Sequence, residues 1–130
     1  MEYRAGTTPK SIQNFTDLRV WQTGHTLVVE IYKVTKQFPR EEVFGLTSQL
    51  RRAAVSITSN IAEGFGRQSY KEKVQFYHLA YGSLTEVQNQ LLISKDIGYI
   101  TDIEFTHLIN MSTDTAKLLR AFISKSKTFC

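Results

Sequence analysis

Between Gly45 and Arg67 the chain reads GLTSQLRRAAVSITSNIAEGFGR, and this segment narrows the possible folds more than any other. Leu46, Leu50, Ala53, Ala54, Ile57, Ile61 and Phe65 recur at intervals of three and four residues, which gathers them on one face of a helix and on no face of a strand. Gly64 and Gly66 close the segment, because glycine readily takes the left-handed backbone that caps a helix C-terminus. So long an apolar face has to be covered by other helices, and the segment commits the chain to helix-on-helix packing.

Three further stretches supply that cover. The first helix runs roughly from Asp17 to Gln37 and is closed by Pro39, which drives Phe38 away from helical dihedrals. The second begins near Phe44 to Thr47 and is the segment above. The third opens at Ser69-Tyr70-Lys71-Glu72, which reads as a capping box with hydroxyl and carboxylate each satisfying a free N–H, and continues to Ile97 before Gly98. The fourth opens with a second such box, Thr101-Asp102-Ile103-Glu104, and frays among Ser124 to Cys130. Short links make successive helices antiparallel neighbours, so the expected fold is an all-α, up-down-up-down four-helix bundle. Residues 1–14 read as a flexible tail, and 15–130 as a single domain.

Composition agrees with this: 42% hydrophobic and 22% charged residues, with two prolines and seven glycines, describe a soluble globular chain and not a disordered or disulfide-stapled one. Cys130 has no partner within the chain, and no run approaches the roughly twenty apolar residues of a membrane span. A cytoplasmic protein is the expectation.

The apolar faces are wider than one bundle uses. Val20, Trp21, Gly24, Leu27, Val28, Ile31, Tyr32, Val34 and Phe38 cover an arc of about 160° on the first helix, against roughly 100° for a core-facing stripe. On the fourth, Phe105, Leu108, Ile109, Met111, Ala116, Leu118, Leu119, Phe122 and Ile123 take about half the circumference. Leu79, Ile93 and Ile97 on the third helix lie well away from the inner face made by Tyr77, Leu84, Val87 and Leu91. Val55 and Ala62 likewise sit opposite the core side of the second. These five residues are the expected contacts of self-association.

No catalytic or metal constellation emerges. His25, His78 and His107 fall on three different helices, and Glu104-Phe105-Thr106-His107 is a lone Glu-x-x-His where a di-iron bundle needs two such motifs and two further glutamates. Gly64-Phe65-Gly66-Arg67 lacks the spacing of either glycine-rich phosphate loop. Neither enzymatic activity nor a cofactor is expected. What remains is a basic group near the second connection: Arg51, Arg52, Arg67, Lys71 and Lys73. Guanidinium forks suit phosphate, with Tyr70 nearby as a stacking face, but Glu63 stands four residues before Arg67, so salt bridging within or between subunits is the competing role. A second basic group, Lys117, Arg120, Lys125 and Lys127, complements the dipole of the last helix. The net charge of +4 permits weak attraction to nucleic acid.

Asp17-Leu18-Arg19-Val20-Trp21-Gln22, Gly45-Leu46, Gln49-Leu50-Arg51-Arg52-Ala53-Ala54-Val55-Ser56-Ile57, Asn60-Ile61-Ala62-Glu63-Gly64, Gly66-Arg67 and Gly82-Ser83-Leu84-Thr85-Glu86 together resemble the four-helix-bundle family encoded within intervening sequences of bacterial 23S ribosomal RNA genes. The resemblance implies a ring-like homopentamer. Similar basic bundles are accessory proteins of diversity-generating retroelements, which implies association with RNA or DNA. Three positions depart from the family: Gly24 where alanine is expected, Thr58 where proline is common, and Tyr81 where a basic residue often precedes Gly-Ser. The reading that results is a non-enzymatic self-assembling bundle associated with RNA; the alternative is an oligomeric scaffold for a protein partner, with no nucleic-acid contact.

Overall fold

Local chemistry sets the boundaries of the four helices. The computed structural model describes residues 11–130, so the first ten residues of the expected tail lie outside the described residues. A 3-10 turn at Phe15–Asp17 leads into α1 (Arg19–Thr35); another at Arg40–Glu42 precedes α2 (Leu46–Phe65), followed by α3 (Tyr70–Asp96) and α4 (Asp102–Lys127). No strand occurs among the described residues.

α1 starts two residues later than the expected Asp17, because Asp17 is occupied in a capping box of its own. Its carboxylate accepts the Asn14 N–H at 3.1 Å while the Asn14 side chain accepts the Thr16 N–H, which winds a 3-10 turn instead of the helix. Leu18 is extended, caps α1 and buries its side chain. The box expected at the start of α4 forms in both halves. At α3 only the Ser69 half forms, its Oγ accepting the Glu72 N–H at 3.2 Å.

The expectation of a left-handed glycine at the end of α2 is corrected. Gly66 has φ −79° and ψ −7°, an ordinary right-handed backbone. The free carbonyl of Phe65 is capped by the Lys73 ammonium, which reaches back from α3 to donate at 2.6 Å. Gly64 is small for a different reason: a Cβ there would lie 2.7 Å from the Tyr77 ring and 2.9 Å from Phe76 Cβ. The glycine marks where α2 and α3 press together. Gly98, at φ 85°, is the left-handed glycine among the described residues and turns the chain from α3 into α4.

Contacts between helices run in opposite senses along each pair. Gly24 meets Thr58 while Thr35 meets Arg51; Gly64 meets Tyr77 while Ser56 meets Ser83; Tyr77 meets Phe122 while Gln88 meets Ser112; Gly24 meets Thr115 while Gln37 meets Glu104. Each helix is therefore antiparallel to both its neighbours, in the sequential order of an up-down-up-down bundle. Leu27, Ile31, Leu50, Ile57, Ile61, Tyr77, Leu84, Leu91, Leu108 and Leu119 fill the interior.

Gly24 and Thr58 meet each other. A Cβ on Gly24 would stand 3.3 Å from the Thr58 methyl. The missing methyl at 24 makes room for the branched side chain at 58, where both are buried between α1 and α2. The Arg120 guanidinium from α4 lies 5.9 Å from the Tyr81 ring centre on α3. Ser56, Asn60 and Ser83 form a small polar clasp: Asn60 Nδ2 donates to Ser56 Oγ at 3.0 Å, and the Ser56 and Ser83 hydroxyls bond across α2 and α3 at 2.8 Å.

The broad faces resolve unequally. On α4 much of the width is absorbed internally: Phe105, Ile109, Met111, Leu118 and Phe122 are half-buried against the core, while Ile103 in the first turn is 83% exposed. α3 differs, leaving Leu79 57%, Ile93 41% and Ile97 51% exposed. Val55 on α2 is exposed, Ala62 is half-buried, and Val29 and Tyr32 are uncovered on α1.

Candidate nucleic-acid interface

The antiparallel order puts the C-terminus of α2, the N-terminus of α3 and the C-terminus of α4 at one pole of the bundle. The α2–α3 turn carries Arg67, Lys71 and Lys73, and the end of α4 carries Lys125 and Lys127. The aromatic rings of Tyr70 and Phe129, 4.9 Å apart, join the two segments. Parts of the two basic groups, Arg67, Lys71 and Lys73 from the first and Lys125 and Lys127 from the second, thus share one pole, which also carries Glu63 and Glu72. Phe129 was missed in the sequence, having no helical register to single it out. Arg19 was missed as well: it begins α1, which is antiparallel to α4, and so stands exposed at the same pole.

The cations here are not equally available. Arg67 forms an ion pair with Glu63 at 3.1 Å and lies 4.6 Å over the Phe76 ring. Both partners are largely exposed, so the pair is weak and exchangeable with an incoming phosphate. Lys73 is committed more firmly, its ammonium donating to Phe65 O and lying near the Phe65 and Tyr70 rings. Partial burial holds its pKa below the ordinary lysine value. Lys71, Lys125 and Lys127 are exposed, and their ammonium groups have no hydrogen bond or ion pair among the described residues. Tyr70 and Phe129 are 39% and 57% exposed and present ring surface between these charges, the combination on which unpaired bases stack.

Arg51 and Arg52 do not join this pole. They lie near the start of α2, about 20 Å along the helix from Phe65 at the usual rise of ~1.5 Å per residue. Arg51 is turned inward, Nε donating to Thr35 Oγ1 at 2.8 Å with the guanidinium 4.6 Å over the Tyr32 ring. It staples α2 to α1, which makes the competing structural role the better description of this residue. Arg52 points outward beside a groove on the α2–α3 face. Adjacent arginines a helical step of ~100° apart cannot share one environment, and which of them faces inward depends on Thr35, invisible in the local sequence.

His25 stacks on Trp21 at 4.7 Å, and His78 and His107 are exposed. Glu104 serves the cap of α4 and also accepts from Gln37 at 3.0 Å; the Thr101 N–H and then Gln37 hold its carboxyl below the ordinary value. Among the described residues no group of three histidine, cysteine or acidic side chains is placed to hold a metal ion, and no helix is long and apolar enough to cross a membrane.

Comparison with known proteins bears on these features. The family model described as 23S rRNA-intervening sequence protein matches residues 16–121. A crystal structure from Bacteroides thetaiotaomicron VPI-5482, described as a protein of unknown function from the S23 ribosomal protein family, superposes with a TM-score of 0.75 at 24% identity, over 81% of this chain and 95% of that one. At that identity the likeness speaks for the fold. No curated protein matches the chain.

Proposed function

Because the chain belongs to the 23S rRNA-intervening sequence protein family, we propose that it acts without chemistry of its own, as a self-assembling bundle that associates with RNA through a basic pole repeated around the assembly. The observation that carries this reading is that Arg67, Lys71, Lys125 and Lys127 belong to the two segments that the Tyr70–Phe129 ring pair joins at one pole. Lysines and arginines draw the phosphates, and the rings offer stacking surface. One such pole is weak. Copies held in a ring gain avidity without any new contact, and the uncovered Leu79, Ile93 and Ile97 on α3 are the surface through which copies meet. The pentamer implied by the family resemblance is the proposed number, and a cytoplasmic site of action goes with an RNA ligand.

A protein-scaffold reading is favoured by one observation, the inward commitment of Arg51 and Lys73, which leaves fewer cations for phosphate. Light scattering of the intact protein, at low and moderate salt, with and without a short structured RNA, separates the two. A mass near five protomers that rises with RNA at low salt supports the proposal. A monomer that ignores RNA at both salt concentrations overturns it.

A further inference from the structure

We infer that the groove between the first half of α2 and the middle of α3 receives one unpaired base of a single-stranded RNA, and that guanine fits it best. This rests on the RNA-associated reading above and adds to it a site that reads a base, distinct from the basic pole. The groove encloses about 470 Å³ and is bordered by Phe44, Ser48, Gln49, Arg52, Ser56 and Glu86. Functional small-molecule pockets span roughly 300–1,000 Å³.

Three of the lining groups, Phe44, Arg52 and Glu86, are exposed and take no part in the core. Phe44 is 95% exposed, the most solvent-covered large apolar residue of the described chain, and contributes nothing to the core. An aromatic face in that position is a platform for a base. Arg52 has no hydrogen bond or ion pair among the described residues, so its guanidinium is open to the phosphate of the same nucleotide. Glu86 is acceptor-only when ionised. It is steadied by Gln90, whose Nε2 donates to its Oε1 at 3.2 Å. Gln90 is itself 5% exposed, and among the described residues its carbonyl oxygen is a buried side-chain polar atom without a hydrogen-bond partner. A half-satisfied buried amide behind an exposed carboxylate is costly for stability alone and calls for a reason.

The carboxylate selects among bases. Guanine presents N1–H and the N2 amino group side by side on its Watson–Crick edge, two donors for the two oxygens of Glu86. Uracil offers one donor flanked by carbonyl oxygens that a carboxylate repels. Gln49 and Ser48 have donors and acceptors to satisfy the remaining edge atoms.

The test is fluorescence anisotropy at low salt with three labelled probes: a short oligouridylate, the same strand carrying guanines, and a blunt RNA duplex. The parent protein should bind the guanine-bearing strand about tenfold tighter than oligouridylate, and Phe44→Ala should remove about tenfold, within the range for one lost base stack. Glu86→Gln should erase the preference for guanine while leaving duplex binding unchanged. These side chains lie at the surface, so the variants should keep their helices, which circular dichroism checks. If both variants bind all probes like the parent, the groove is not a base site while RNA association stands. If no probe binds the parent, the underlying reading falls with it. A change of scattering mass in Phe44→Ala, with RNA affinity intact, would assign the groove to a second copy and overturn the inference.

Discussion

Two glycine-to-alanine substitutions, chemically identical and both inside helices, should have opposite effects on stability. Alanine is favoured over glycine in a helix interior by about 1 kcal/mol, chiefly through backbone entropy. At Gly24 the new methyl meets Thr58 Cγ2 at 3.3 Å and two other methyls at 3.6 and 3.7 Å. A small rotation of one threonine relieves the tightest of these, so Gly24→Ala should be neutral or stabilise by up to about 1 kcal/mol. At Gly64 the methyl meets Phe76 Cβ at 2.9 Å and two Tyr77 ring atoms at 2.7 and 3.0 Å. A Cβ does not move with its rotamer, and Tyr77 is 1% exposed and packed on Phe122, so α2 and α3 must separate. Overpacking of this kind costs about 1–3 kcal/mol. The rigid neighbours put Gly64→Ala at the upper end, and subtracting a reduced propensity gain near the helix end leaves a loss of about 2 kcal/mol. Urea unfolding followed by circular dichroism, at one fixed protomer concentration, reads this directly. With a slope of about 2 kcal/mol per molar, the midpoint of Gly64→Ala should fall by about 1 M and that of Gly24→Ala should hold or rise. Equal shifts, or a stabilised Gly64→Ala, would refute the close approach of α2 and α3 at this turn.

Other outcomes follow from the same geometry. Leu79→Glu combined with Ile93→Glu, both on exposed positions, should lower the scattering mass toward one protomer while the helical spectrum stays unchanged; loss of folding instead would place these residues in the core. A double-mutant cycle of Ser56→Ala and Ser83→Ala should give a coupling of about 0.5–1.5 kcal/mol, the worth of one hydrogen bond across α2 and α3, and zero coupling would dissolve the clasp. Glu42 accepts from the Leu46 N–H and from the Tyr99 hydroxyl at 2.7 Å, which hold its pKa below the ordinary 4.5. A depressed carboxylate stabilises the fold above its unfolded pKa and loses that contribution as pH falls through the folded one, so Glu42→Gln should flatten the decline of stability below about pH 4.5. Tyr99 mirrors this, raised above 10.0 by its bond to Glu42: its share is present below that pH and fades as pH rises through the folded value, and Tyr99→Phe should remove it.

Most of the architecture was legible because it depends on local chemistry. Pro39, Gly98 and the Thr101–Glu104 box act over a few residues, and the helical spacing of Leu50, Ile57, Tyr77, Leu84 and Leu119 states which face is inside. Gly64 was not, since a glycine at a helix end reads as a cap, and its real constraint is a tyrosine ring thirteen residues downstream. The basic pole was legible by composition and not by grouping. Arg51 and Arg52 look like one patch in the sequence but are separated by the arc between adjacent helical positions, whereas Lys71 and Lys125 look unrelated and are brought together by antiparallel order. Phe44 gave no periodic signal, because it sits in a link where no register applies.

The anchoring of Phe129 on Tyr70 has a practical consequence for counting subunits. Cys130, the one cysteine of the sequence, follows directly and is exposed, its sulfur 3.9 Å from the Ser126 carbonyl. A maleimide spin label on that thiol therefore marks the basic pole and nowhere else. In a closed ring the labels stand at the corners of one regular polygon, and the ratio of the diagonal to the side of that polygon, measured by dipolar spectroscopy, differs for four, five and six copies without reference to hydrodynamic shape.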